Sequence, residues 1–310
     1  HAWSRSRRCA QTAEYASKSN FLNLSMRKVL ITGANGQLGS RLSEITLSNG
    51  DVVVVCDRER LDITDSASIE RAMSEHNPHV VINAAAYTAV DGAEEEADLA
   101  HAVNAIGAGQ LARTCADSGI DLIHVSTDYV FAGNQNEPYR TDAEPAPTGV
   151  YGHSKWRGEK AIETAFATAA RSNAWIFRVA WLYDSRGRNF AQTMLRLGAS
   201  GKALKIVNDQ LGAPTAAGPF AELLMEVAQN PKLLRPQTWH YGTLGPATWY
   251  DFARAIFAHK EMVVDAIPCT TDAYPTPAQR PAYSYLDPYP LMQALGRNPE
   301  HWKDQLQRVL

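Results

Sequence analysis

Three glycines at regular spacing, Gly33, Gly36 and Gly39, lie between the β-branched run Lys28-Val29-Leu30-Ile31-Thr32 and an apolar-periodic stretch that begins at Leu38. A strand that turns sharply into a helix needs residues without a Cβ, both for the turn and for close approach of the backbone to whatever sits there. The free N–H groups and dipole at the start of such a helix favour an anion. Strand, glycine loop and helix in that order form the dinucleotide fingerprint, with pyrophosphate over the loop. This feature restricts the chain to α/β folds built from βαβ units.

The rest of the sequence extends that pattern. Short apolar runs at Val29–Thr32, Val52–Cys56, Val80–Asn83, Leu122–Ser126 and Trp175–Val179 alternate with helical periods over Gly39–Leu47, Ser66–Glu75, Leu99–Ser118 and a stretch starting near Tyr151. Strands apolar throughout are covered on both faces, so the expected fold is a Rossmann-type, doubly wound parallel sheet with a smaller, interleaved C-terminal substrate lobe. We expect three parts: an N-terminal extension over 1–25 ahead of Met26, disordered and loosely transit-peptide-like in its arginines and serines; a dinucleotide-binding domain over 26–180; and a substrate lobe over 181–310. Ile206 and Val207 are expected to return as a strand to the first domain.

With 310 residues, 45% hydrophobic and 20% charged, the chain can bury one large core or two modest ones. A net charge of −3 gives no electrostatic case for nucleic acid, and no apolar run reaches the roughly 20 residues of a membrane span. The four cysteines are scattered without a CxxC pair, which argues against a zinc cluster or disulfide framework and for the reduced cytoplasm. The nine histidines make no HxH or HxxxH pair, no GxSxG marks a serine hydrolase, and no metal site is expected.

Asp57 ends the second strand eighteen residues past Gly39, where an acid bonds the adenosine ribose 2′-hydroxyl of NAD. Arg58 follows directly and Arg60 lies close, and a guanidinium there accepts the 2′-phosphate of NADP. NADH and NADPH therefore both stand as cofactors. Asp62 and Ile63 flank the adenine position, and Ala84-Ala85-Ala86 offers small side chains where the dinucleotide passes. Those alanines also fit ordinary core packing.

Thr127 ends the strand Leu122–Ser126, at the edge where ligands bind in such sheets. Downstream stand Tyr151 and Lys155, four apart, so on a helix they share a face with about 6 Å of rise between them. A ketone that accepts hydride develops alkoxide charge, which calls for a hydrogen-bond donor and then a proton. Thr127 fits the first role and Tyr151 the second, with Lys155 stabilising tyrosinate and holding the nicotinamide ribose. Asn104 reads either as a support for the lysine, through water or backbone, or as a packing or capping residue.

Six segments carry a family resemblance: Asn83–Asp91, Ser126–Phe131, Val150–Gly152, Asn189–Leu197, Asn208–Thr215 and Ala273–Pro281. On these the chain resembles the extended short-chain dehydrogenase/reductases and, within them, the dTDP-4-dehydrorhamnose reductase family, over nearly all of 26–310. The resemblance implies NADH- or NADPH-dependent reduction of the 4-keto group of dTDP-4-dehydro-β-L-rhamnose to dTDP-β-L-rhamnose. It implies Tyr151 as proton donor, Lys155 as its cofactor-binding partner, and Thr127, Asp128 and Trp181 against the sugar. It also implies dinucleotide contacts from Gly36, Gln37, Leu38, Asp57, Asp62, Ile63, Ala86, Tyr87, Thr88 and Val125, beside Gly33 and Arg58. A homodimer is compatible with it, but where some members place a glutamate that bridges a dimer through magnesium, this chain has Arg41. Two other functions share these residues: another nucleotide-sugar reductase or epimerase, and a non-catalytic dinucleotide-binding subunit like the methionine adenosyltransferase β subunit.

Overall fold

Alternating side chains of a strand face opposite ways, so an apolar strand in the middle of a sheet needs cover on both sides. Val29 and Ile31 of β1 (Lys28–Thr32) point into one buried cluster with Val80, Ile82, Ile123 and Phe177, while Leu30 points into another with Val81, Leu122 and Ile176. The computed structural model describes residues 26–47 and 50–310, so the expectation for 1–25 lies outside the described residues.

After β1 come α1 (Gln37–Glu44), β2 (Val52–Cys56), α2 (Ser66–His76), β3 (Val80–Asn83), β4 (Asp121–Thr127) and β5 (Ala174–Val179). Asp65 caps α2 by accepting from the Ala67 N–H, the bond that an N-terminal Asp supplies to an otherwise unpaired donor. All pairings in the main sheet are parallel, in the order β2, β1, β3, β4, β5 and then Thr238–Tyr241. The order reverses between β1 and β3, which opens a crevice beyond their carboxyl ends. The glycine loop follows β1 and the three alanines follow β3, so both border that crevice.

The sixth strand corrects one expectation. Leu204–Val207 does not join the main sheet; it pairs with Ala266–Cys269, and its Ile206 packs with Phe252, Phe257 and Trp302. Thr238–Tyr241 returns instead, pairing with β5. Both segments are four residues long and carry polar side chains, Lys205 in one and Thr238 and His240 in the other, and spacing alone does not say which edge each finds. The helix Ala217–Gln229 also returns, placing Phe220 and Leu224 beside Leu38 and Leu42 of α1.

Between β3 and β4, the expected single helix over Leu99–Ser118 forms in three parts: Ala97–His101, a π-helical turn Ala102–Gly107, and Ala108–Ser118. The 17-residue helix Val150–Phe166, here called the tyrosine helix, crosses this element at glycines. A Cβ on Gly158 would lie 2.1 Å from the Asn104 carbonyl oxygen, and one on Gly109 2.9 Å from the Ala161 methyl. That close crossing seats the tyrosine helix against β4.

Candidate active site

The glycines of the first loop divide by purpose. Gly33 has φ +67° and a Cβ there would strike the Ala85 backbone at 2.7 Å, while one on Gly39 would lie 2.1 Å from the Gly33 carbonyl oxygen. Both are required by the turn itself. Gly36 differs: a Cβ would meet only the Gly33 oxygen at 3.2 Å. Gly36 is also the N-cap of α1 and makes no side-chain cap, so the first N–H groups of the helix, at Gln37 and Leu38, lack a side-chain acceptor. A bare, glycine-lined helix start fits a pyrophosphate.

At the adenosine end, Asp57 follows β2 and accepts from the Arg60 N–H (3.1 Å) and the Asn35 amide (3.4 Å). Arg60 bonds the Val55 carbonyl, whereas Arg58, 72% exposed, is tethered only to Asp62 at 3.1 Å. Asp62 also accepts from Thr64, and these bonds together hold its carboxyl below the usual range although burial opposes them. Ile63 is buried in the core between α2 and the sheet. Carboxylate and guanidinium thus stand side by side at the ribose position.

Thr127 and Asp128 follow directly from β4. Thr127 accepts from the Tyr129 N–H and donates to Asp128, which begins a 3₁₀ turn. The first turn of the tyrosine helix rests on that turn, since a Cβ on Gly152 would lie 2.2 Å from the Tyr129 oxygen. Tyr151 is therefore delivered beside Thr127, with its ring edge-on to Tyr129 at 5.4 Å. Burial pushes the Tyr151 phenol up to about 12, opposed by the Thr127 hydroxyl, which keeps it protonated and able to donate. Burial likewise raises Asp128 to about 6, against bonds from Ser284 and Thr127.

Lys155 is 2% exposed. The pairing of β3 with β4 stops at Asn83 and His124, one residue before Val125, which stays in register with Phe177 of β5. Lys155 Nζ donates to the Val125 carbonyl at 2.7 Å and lies 3.2 Å from His124 Nε2. Burial lowers the lysine to about 8, with Glu159 one turn away opposing the shift. Glu159 is itself engaged by Ser126 and, at 2.6 Å, by the Arg178 guanidinium. Arg178 further reaches His240, whose other ring nitrogen meets the Tyr139 carbonyl.

Of the two readings of Asn104, the bonds fit a packing residue. Its amide binds both backbone groups of Tyr87 (2.9 and 3.0 Å) and the Ser154 hydroxyl (3.0 Å), pinning the segment after β3 to the tyrosine helix. Ala86, Tyr87 and Thr88 are held in this way along the crevice. Trp181 adopts φ +49°, unusual for a residue with a Cβ, and stacks on Trp249 at 3.5 Å between ring centres. Trp249 in turn donates to Gln210. Arg41 makes a two-pronged pair with the buried Asp184 and so joins α1 to the segment after β5. Among the described residues, no three His, Cys, Asp or Glu side chains gather as a metal site.

Residues 26–310 match the sequence profile of the RmlD substrate binding domain. The chain belongs to this family. A dTDP-4-dehydrorhamnose reductase of Mycolicibacterium smegmatis is 38% identical, covering 92% of this chain and 86% of the relative. The spore coat polysaccharide biosynthesis protein SpsK of Bacillus subtilis is 35% identical over 92% of this chain and 97% of its own. A crystal structure of dTDP-4-dehydrorhamnose reductase from Bacillus anthracis, in complex with NADP, superposes with a TM-score of 0.85 at 35% identity, over 92% of this chain and 98% of that one. Like its relatives in the RmlD family, the chain is an α/β protein with a parallel Rossmann-type sheet.

Several contributors escaped the sequence reading: His124, the Asn83 side chain, Trp249, and the Asp91–Arg280 pair that ties the segment after β3 to the Ala273–Pro281 segment. One signal was present. In Leu122-Ile123-His124-Val125-Ser126, polar residues alternate inside an otherwise apolar strand, which marks a polar stripe facing the tyrosine helix.

Proposed function

We propose that this protein reduces the 4-keto group of dTDP-4-dehydro-β-L-rhamnose to give dTDP-β-L-rhamnose, with NADPH as the preferred donor. The observation that carries this reading is the placement of a half-buried Tyr151, whose phenol stays protonated, beside Thr127 at the carboxyl end of β4 and one helical turn from the buried Lys155. Family membership and the NADP-bound Bacillus anthracis relative support the substrate and the dinucleotide.

When bound, NADPH supplies the hydride. Thr127 turns its hydroxyl from Asp128 to the substrate carbonyl oxygen and steadies the charge that grows there. Tyr151 then gives its proton to that oxygen, and Lys155 stabilises the tyrosinate left behind. The glycine loop and the α1 N-terminus hold the pyrophosphate, while Arg58, free to leave Asp62, receives the 2′-phosphate. Asp128 and Trp181 face the sugar. The free thiols Cys56, Cys115 and Cys269 support a reducing compartment, the cytoplasm; among the described residues no helix is long and apolar enough to cross a membrane.

The test is consumption of NADPH in a vessel where dTDP-4-dehydrorhamnose is generated enzymatically, with the sugar product identified by mass. Formation of dTDP-rhamnose is expected. Dinucleotide binding without consumption would instead favour a binding subunit on the same fold, and a different sugar product another nucleotide-sugar reductase.

A further inference from the structure

Lys155 sits at the end of a buried chain of hydrogen bonds that nothing in the proposed reaction uses. Thr32, Asn83 and His124 are each at most 1% exposed, so every donor and acceptor among them must be matched within the protein. The Thr32 hydroxyl donates to Asn83 Oδ1 at 2.7 Å, and the Ala85 backbone N–H donates to the same oxygen at 3.2 Å. A backbone N–H is only a donor, so this contact sets which way the Asn83 amide faces. Its Nδ2 then points at His124 Nδ1, 3.0 Å away.

An amide nitrogen only donates, so His124 Nδ1 must accept and carry no hydrogen. Burial, reinforced by Lys155, holds the His124 pKa well below its usual value, so the ring is neutral. A neutral ring with a bare Nδ1 carries its hydrogen on Nε2, and Nε2 faces Lys155 Nζ at 3.2 Å. An ammonium has no lone pair to receive that hydrogen; an amine does, while still donating to the Val125 carbonyl at 2.7 Å.

We propose that His124 is a positioning residue that favours the amine form of Lys155, through an Nε2–H bond whose direction is fixed by Asn83 and the Ala85 N–H. The inference rests on Lys155 being the cofactor-side cation of the proposed reaction. Other groups facing the lysine do not undo it. On the tyrosine helix, the Glu159 carboxylate is already committed to Arg178 of β5 and to Ser126 of β4, and Tyr151 is a neutral phenol. Asp128, just past β4, has its carboxyl raised by burial to about 6 and bonds to Thr127, not to the lysine. From β3 only the uncharged Asn83 approaches. In the free protein the lysine thus gives up its proton more readily than an exposed one, at about 8 against the usual 10.5, and the ammonium is favoured further once ribose hydroxyls give it acceptors in place of the ring.

The ring hydrogen can be located directly. Long-range ¹H–¹⁵N spectra of histidine-labelled, ligand-free protein at neutral pH report which nitrogen of His124 is protonated, and Nε2–H is expected. A hydrogen on Nδ1 would overturn the proposal, because it requires a reversed Asn83 amide and leaves Nε2 free to accept from an ammonium. The measurement needs no turnover, so its failure leaves the proposed reaction standing, and failure of the reaction leaves the tautomer result intact. In a second arm, His124→Gln replaces the fixed ring donor by an amide that can turn its oxygen to an ammonium, without changing net charge. The alkaline limb of kcat/KM should move up by about one pH unit while the plateau rate is kept; a lower plateau with an unmoved limb would show that the ring only fills space.

Discussion

The two ends of the dinucleotide crevice are built differently. At the chemical end, Thr127, Tyr151 and Lys155 are set by packing without slack, and the groups behind them, Asn83, His124, Glu159 and Arg178, are buried and paired. At the ribose end, Asp57, Arg58 and Arg60 stand in an exposed loop whose bonds are mostly to its own backbone. Buried polar groups cost several kcal/mol when left unpaired, so the first arrangement has few alternatives. Exposed pairs are worth about 0–1 kcal/mol, so the second can rearrange when a phosphate arrives. On the proposed reading, reaction chemistry is therefore fixed by the folded core, while cofactor choice is left to a surface loop.

The comparison breaks hardest at the tyrosine. Tyr151→Phe keeps the ring and its edge contact with Tyr129 but removes the proton, so kcat should fall by about 10²–10⁴ with NADPH affinity unchanged; steady-state kinetics and a dinucleotide titration check both. Next comes the buried pair. Arg178→Met strands the Glu159 carboxylate, and urea unfolding should show a loss of about 3–5 kcal/mol, whereas Arg58→Ala should leave stability within about 1 kcal/mol.

Asp128 supplies a pH test of the same contrast. Its folded pKa, about 6, is raised above the ordinary value of 3.8. Its contribution to stability is thus fully present below the unfolded pKa and is lost as pH rises through about 6. The stability of the wild type relative to Asp128→Asn should fall by about 1–3 kcal/mol across that window, and a gap that stays constant would contradict the burial argument. The smallest effect belongs to the exposed end: Arg58→Ala should reduce the preference for NADPH over NADH by roughly tenfold, read from kcat/KM with each.

Much of this division was legible in the sequence. The runs Val52–Cys56 and Val80–Asn83 form strands with those bounds because apolar, β-branched residues covered on both faces have little other use. The glycine loop and the Tyr151–Lys155 pair were legible because each needs particular residues at particular spacing. Asn104 was visible but its partners were not, since the Tyr87 backbone reaches it from the segment after β3 and Ser154 reaches it through a crossing made by Gly158 and Gly109. Ile206 was named for the returning strand and the Thr238 segment was not, since only packing against Phe252 or against β5 separates them. Trp181 was named, but its stacking on Trp249, 68 positions away, is a purely tertiary fact.

The central claim is that the buried seam of β4 and the tyrosine helix directs hydride to the sugar C4 while Tyr151 protonates the oxygen. NADPH carrying deuterium at the transferable position of the nicotinamide tests it most directly, with the sugar product read by NMR. The account predicts one deuterium at C4 of dTDP-rhamnose from the wild type and almost none from Tyr151→Phe. Deuterium at another carbon, or equal transfer by the phenylalanine variant, would contradict it.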